Sequence, residues 1–322
     1  MITAYVRTNG SLSPISVDHS GSIPHEAVWI DLVAPSEQEV RLVDEELQID
    51  IPSLEQMEEI EVSSRLYEED NAIYLTSTVL TNADTDQPEG IPVTFVMVGH
   101  RLVTLRYGEP LPFKVYAAKA RRHHLPCSTG EEVLSGLLDA IVDRVADVLE
   151  RIQRDLDDLS RVIFAKDRAR GKVDFEAVLR GVGRIQALTS KARDCLVGIN
   201  RVLSFLGRPS ESRVAKASSK NFKTIARDVT ALSDHATFLT SNINFVLDAT
   251  LGMINSEQNG IIKIFSVAAV VFLPPTLLAS IYGMNFQVIP ELKWEYGYPF
   301  AIGMMILSAV LPYYFFKRRG WL

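Results

Sequence analysis

Cysteine is nearly absent. Cys127 and Cys195 are the only two in 322 residues; both precede the long apolar segments, so reduced thiols in a cytosolic compartment are expected rather than a disulfide framework. A basic excess is missing too: 33 lysines and arginines stand against 40 acids, a formal charge of −7. That excludes the basic face of a nucleic-acid binder and suits a protein that handles cations. The start, MITAYVRTNG, has no basic residues followed by an apolar core, so no signal peptide is expected. There is no Gly-x-x-x-x-Gly-Lys-Ser/Thr loop and no Gly-x-Gly-x-x-Gly, which leaves no signature for nucleotide-driven work and no expectation of an organic cofactor. No nucleophile and base stand in a catalytic pattern, so no enzyme is expected. His123, His124 and Cys127 lack a fourth metal ligand nearby and read as part of a basic surface turn beginning at Arg121. Glu58, Glu59 and Glu61, and the run Glu68-Glu69-Asp70, read as a solvated face.

Charge is the most telling absence. No Asp, Glu, Lys or Arg occurs from Ile264 to Pro290, nor from Gly297 to Phe316. Each stretch supplies the roughly 20 apolar residues that a helix needs to cross a bilayer core. Lys317, Arg318 and Arg319 follow the second span at once, Lys263 opens the first, and the loop between them holds only Lys293 against Glu291 and Glu295. The distribution of basic residues places both termini in the cytoplasm. Trp294, Tyr296 and Tyr298 at one edge, with Tyr313, Tyr314 and Trp321 at the other, read as aromatic belts at the two interfaces.

The first span has a face that lipid would not favour. Asn259, Ile262, Ser266, Ala269, Leu273, Thr276 and Ser280, alternately three and four apart, form one seam, whereas Ile264, Val267, Val270, Val271, Phe272 and Leu278 occupy the others. A seam of mostly small and polar residues must meet other helices or water. Close helix packing would account for it; so would the wall of a pore. Carried backward, the seam passes through Asn255, Gly252 and Asp248, and Asp248 is a candidate cation attractor at an inner mouth.

The N-terminal part reads as a domain of alternating strands and helices. Strand signals fall at Thr3–Arg7, Ala27–Val33, Ala72–Leu80, Val93–Val98 and Leu102–Arg106, with Gly99-His100 as a tight turn. A capping box at Ser36 and Glu39 opens a helix through Glu46, and an acidic helix is expected from Ser53 to Glu61. From Glu131 the pattern becomes long helices: one carries Val133, Leu137, Ile141, Val145, Leu149, Ile152, Leu156 and Leu159 on one face. A second runs from about Phe175 to Leu206. A third begins near Ser210 and meets no proline before Pro274, long enough for a rod on the order of 100 Å.

Tyr282-Gly283-Met284-Asn285-Phe286 closes the first span. Together with the preceding FLPPT (Phe272 to Thr276), the following PELKW (Pro290 to Trp294) and a C-terminal KRRGWL, this string resembles the CorA family of magnesium transporters, specifically over the last seventy or so residues and in layout over the rest. The resemblance implies an α/β cytosolic domain (1–125), long cytosolic stalk helices (126–262) and a transmembrane hairpin (263–322, spans about 264–284 and 297–316), assembled with copies of itself as a homopentameric channel in the cell inner membrane. It implies inward transport of Mg2+, and of Co2+ and Ni2+, driven by the membrane potential. Gly283, Met284 and Asn285 become the selectivity filter, with the Asn285 amide gripping the hydrated ion. Leu273, Phe265 and Ile262 are candidates for a hydrophobic gate. Regulatory Mg2+ is expected on acids of the long helix, Asp228 or Asp234, and of the strand-to-strand loop, Asp84 or Asp86. The alternatives are a Zn2+ transporter of the same superfamily and a membrane-tethered sensor or scaffold that conducts nothing.

Overall fold

The computed structural model describes residues 1–8, 10–17, 21–85, 87–122, 125–165, 173–207, 216–285 and 289–319. It divides into two compact units, Met1–Leu247 and Asp248–Leu322. Within the first unit the long helices share their core with the sheet.

The first unit is built on a seven-stranded sheet, β1 (Ile2–Thr8), β2 (Ser11–Val17), β3 (Ala27–Val33), β4 (Leu66–Glu69), β5 (Ala72–Thr81), β6 (Glu89–Val98) and β7 (Arg101–Arg106), in the order β2-β1-β3-β7-β6-β5-β4. Only β3 and β7 pair in parallel. The two-residue turn between β6 and β7 has Gly99 at φ +57°, the left-handed conformation required at the first position of a II′ hairpin. Strands β2 and β4 carry weak signals, with Pro14 in one and two glutamates in the other. Both lie at the sheet's edges, where ladder bonding is needed on one side alone. Helix α1 (Glu37–Leu47) starts at the expected capping box, Ser36 and Glu39 each bonding the other's backbone. Within the acidic segment only α2 (Leu54–Glu58) is helical, and a further short helix, α3 (Val62–Arg65), follows it. A helix absent from the sequence reading, α4 (Leu111–Arg122), follows β7.

Helices α5 (Gly130–Phe164) and α6 (Phe175–Leu206) bury their apolar stripes. Strand β5 is covered on both faces, so nearly all of it is buried, and this is where α6 lies down on the sheet. A Cβ at Gly198 would come within 2.5 Å of the Ser77 hydroxyl, so glycine there permits the close approach. Beneath β3 and β7 lies a buried polar core. Asp31 and Arg106, 3% and 6% exposed, pair through Nη2–Oδ2 at 2.8 Å and Nε–Oδ1 at 3.1 Å. The Thr104 hydroxyl donates to Asp31 (2.7 Å) and accepts from Trp29 Nε1 (2.9 Å), and the Arg106 guanidinium lies 4.9 Å from the Phe113 ring centroid.

Helix α7 (Lys216–Tyr282) runs 67 residues, and the division between the units falls within it. Its expected start near Ser210 lies outside the described residues. Pro274 and Pro275 do not end it. They remove two N–H donors one turn after Val270 and Val271, and Thr276 Oγ1 donates to Phe272 O at 2.8 Å in the same turn. In the second unit a 3-10 turn, Pro290–Lys293, leads into α8 (Gly297–Arg318). Both α7 and α8 are long and apolar enough to cross a membrane.

Candidate functional site: the exposed face of the first apolar helix

Within the second unit, covered and exposed residues segregate by face. On α7, Val267 is buried and Val270, Val271, Pro274, Leu278 and Tyr282 are partly covered; on α8, Gly297 and Ala301 are buried and Met305, Ser308, Pro312 and Phe316 are partly covered. Steps of three and four make each set a single stripe, the kind of stripe that two helices of a hairpin turn toward each other. The seam lies elsewhere. Asp248, Asn255, Asn259, Ile262, Ser266, Ala269, Leu273, Thr276 and Ser280 are all exposed. At about 100° per residue, their mean direction falls roughly opposite the covered stripe.

Three apolar residues stand on or beside the exposed seam: Ile262, Phe265 (71% exposed) and Leu273 (65% exposed). Thr276 is the seam's best-defined polar group. Because its proton is committed to the Phe272 carbonyl, its lone pairs are left to accept from water, which is the polarity that a hydrated cation requires of its surroundings.

The helix ends where the motif begins. Gly283 N donates to Ala279 O (2.9 Å) and Met284 N to Ile281 O (3.3 Å), and Asn285 follows in non-helical backbone, exposed. Gly283 does not use a left-handed conformation, since its φ is not positive. A Cβ there would stand 3.2 Å from the Ala279 carbonyl oxygen, so the glycine relieves crowding over the last turn and is not needed for a sharp reversal. Phe286, next in the motif, lies outside the described residues. Across the loop, Trp294, Tyr296 and Tyr298 are exposed, as are Tyr313 and Tyr314 at the other end of α8; Trp321 lies outside the described residues.

The expected regulatory acids fare unequally. Asp84 pairs with Arg144 (Nη2–Oδ2, 2.6 Å) and with Arg151, and the Arg151 hydrogen bond, with the charge of both arginines, holds its carboxyl below the usual range. With two guanidiniums of its own chain on it, Asp84 is a poor free ligand for a metal. Asp86 lies outside the described residues, as do His123 and His124. Asp228 and Asp234 are exposed on α7. The sequence reading missed Asp139, on α5: burial, then the charges of Asp143 and Asp228, push its carboxyl up. The one available signal was the i,i+4 spacing of Asp139 and Asp143 beside an apolar stripe.

A charged α/β unit, followed by two membrane-length helices of which the first exposes a polar seam and ends in Gly-Met-Asn, defines the class: a two-span membrane transport protein. The CorA-like Mg2+ transporter protein model matches residues 25–318. Over all 322 residues, with full coverage of both chains, the sequence is 38% identical to "Magnesium transport protein CorA" of Escherichia coli (strain K12) and 37% identical to the protein of that name from Mannheimia succiniciproducens. The fold matches that of the CorA magnesium transporter from Methanocaldococcus jannaschii at a TM-score of 0.79 and 19% identity, over 100% of this chain and 99% of that one. The chain belongs to the CorA-like Mg2+ transporter family.

Proposed function

We propose that this member of the family works as a channel through which hydrated Mg2+ flows into the cell. One observation carries the reading: the polar seam of α7 is exposed on the side away from the covered stripe, so a single chain leaves unpartnered the very face that is least compatible with lipid. Two helices enclose no interior, so a pore requires several copies around an axis. A homopentamer in the cell inner membrane, with both termini cytoplasmic, is the arrangement that the family supports.

In that assembly the Asn285 side chains form a collar at the outer entrance. Mg2+ gives up its water reluctantly and prefers octahedral oxygen surroundings. A ring of neutral amide oxygens can accept hydrogen bonds from the water shell without the long residence that a carboxylate cage would impose. Thr276 continues the line of acceptors, Leu273 with Phe265 or Ile262 supplies a constriction that empties of water when shut, and Asp248 concentrates cations at the inner mouth. Co2+ and Ni2+, similar in charge and hydration, follow the same route. Acids on α7, Asp228 and Asp234, are the sites at which cytosolic Mg2+ would neutralise repulsion and hold the assembly closed.

Mg2+ uptake into proteoliposomes loaded with a fluorescent indicator tests this. Wild-type protein should transport, and Asn285→Ala should lose at least about tenfold of the rate or of the preference for Mg2+ over Ca2+. Identical traces for both proteins would reject the filter. Uptake of Zn2+ in preference to Mg2+ would transfer the reading to the zinc branch, and no metal-dependent signal at all would leave only the scaffold.

A further inference from the structure

The approach to α8 is more tightly built than a plain connection between two spans requires. Two turns follow one another without a break. Trp294 N donates to Glu291 O (3.2 Å), closing the 3-10 turn Pro290–Lys293, and Gly297 N donates to Trp294 O (3.0 Å) at the start of α8. Phe300 N then donates to Tyr296 O (3.0 Å) in the first helical turn. The Trp294 ring closes over this junction, its centroid 5.5 Å from that of Phe300 and 6.4 Å, edge-on, from that of Tyr296.

These contacts meet at Gly297, which is buried. Its φ is not positive, so no special backbone conformation calls for glycine there. What calls for it is space: a Cβ at 297 would stand 2.2 Å from the Glu291 carbonyl oxygen and 3.3 Å from the carbonyl carbon. Because the obstacle is backbone, no side-chain rotation relieves the overlap. The Glu291 peptide would have to withdraw by about 1 Å to reach ordinary contact, at the expense of the bond it accepts from Trp294 N. Gly303, farther along α8, has nothing within 4 Å of such a Cβ.

The junction lies close to the motif in the chain. Pro290 comes five residues after Asn285, so at about 3.6 Å per residue the two are at most about 18 Å apart. On its other side Asn285 follows directly on Gly283 and Met284, which still bond the last turn of α7. A short length of chain therefore joins Asn285 to two built anchors, the end of α7 and the turn seated on Gly297. We infer that Gly297 is a positioning residue for the Asn285 collar: by letting the Glu291 carbonyl rest against the start of α8, it fixes the second anchor and with it the spacing at which the amides of neighbouring copies meet the hydrated ion. The inference rests on the reading of Asn285 as the selecting group and adds the part of the chain that holds it in place.

Uptake of Mg2+ into proteoliposomes, with Ca2+ as the competing ion, tests it. Gly297→Ala should lower the preference for Mg2+ over Ca2+ about tenfold, a ratio read only from inserted protein, which a poor yield cannot imitate. Gly303→Ala should behave as wild type. Trp294→Leu, which removes the ring from the junction and adds no clash, should lower the preference several-fold, and Trp294→Phe should restore most of it. If Gly297→Ala does not assemble, the Trp294 pair decides. Should Asn285→Ala keep the wild-type preference, the collar itself fails and this inference with it. Should Asn285→Ala lose the preference while Gly297→Ala and Trp294→Leu keep it, or Gly303→Ala lose as much as Gly297→Ala, the collar stands and the positioning role is overturned.

Discussion

At the scale of single residues, the protein keeps its ionised groups in two distinct settings. Asp31 and Arg106 are withdrawn from water and fully engaged: both guanidinium edges, Thr104 and Trp29 complete one network. Removing one partner leaves the other charge buried without compensation, at a cost of about 3–5 kcal/mol. Arg106→Met should therefore lower the denaturation midpoint of the first unit sharply, by calorimetry or urea titration. Asp31→Asn together with Arg106→Met should restore part of the loss, because the paired deletion removes the orphan as well as the bond. If the single variant were as stable as wild type, the network would be incidental to the fold. Asp84 is the contrasting case, its carboxylate 60% exposed and its arginines reachable by water, so its pairing is worth little to stability. What it does is neutralise the acid, so a metal ion at Asp84 would have to compete with both arginines.

At the scale of elements, much was legible in the sequence, for identifiable reasons. Helix α6 spans Phe175–Leu206 as read, because Asp174 caps its start and Gly207 its end. Strand β3 spans Ala27–Val33 as read. Strands β2 and β4 were not legible, since edge strands depend on a neighbour's ladder and not on their own composition. The long acidic helix expected from Ser53 was cut short at Glu58, and Gln56 closed a second capping box with Ser53 that the sequence reading had not noted. The seam was legible because membrane helices sort their faces so strictly. It also makes the sharpest prediction at this scale. Thr276→Val keeps the shape of its side chain and Ser280→Ala removes only its hydroxyl; if the seam faces water in the assembly, the double variant should cut Mg2+ flux by about tenfold while expression and assembly are kept. If the seam is only a packing surface, flux should stay the same, since small apolar side chains pack as well as hydroxyls do.

At the scale of the whole molecule, the remaining question is what drives the ion. The sequence contains no nucleotide-binding signature, and none is needed for inward flow. A potential of about 100 mV, negative inside, favours entry by roughly 2.3 kcal/mol per charge and therefore by about 4.6 kcal/mol for a divalent ion, an accumulation ratio of about 2,000-fold at equilibrium. A channel that can draw on such a gradient has to be able to shut, which gives the exposed acids of α7 their purpose in the proposed mechanism. The test sets the potential directly. In proteoliposomes loaded with K+ and treated with valinomycin, the outer K+ concentration fixes the voltage, and Mg2+ entry is followed without ATP. Uptake should rise as the interior is made negative, fall when the potential is abolished, and reverse when the interior is made positive. Uptake that ignores the imposed voltage, or that starts only when ATP is supplied, would mean that the energy comes from elsewhere and that this member of the family is not a passive channel.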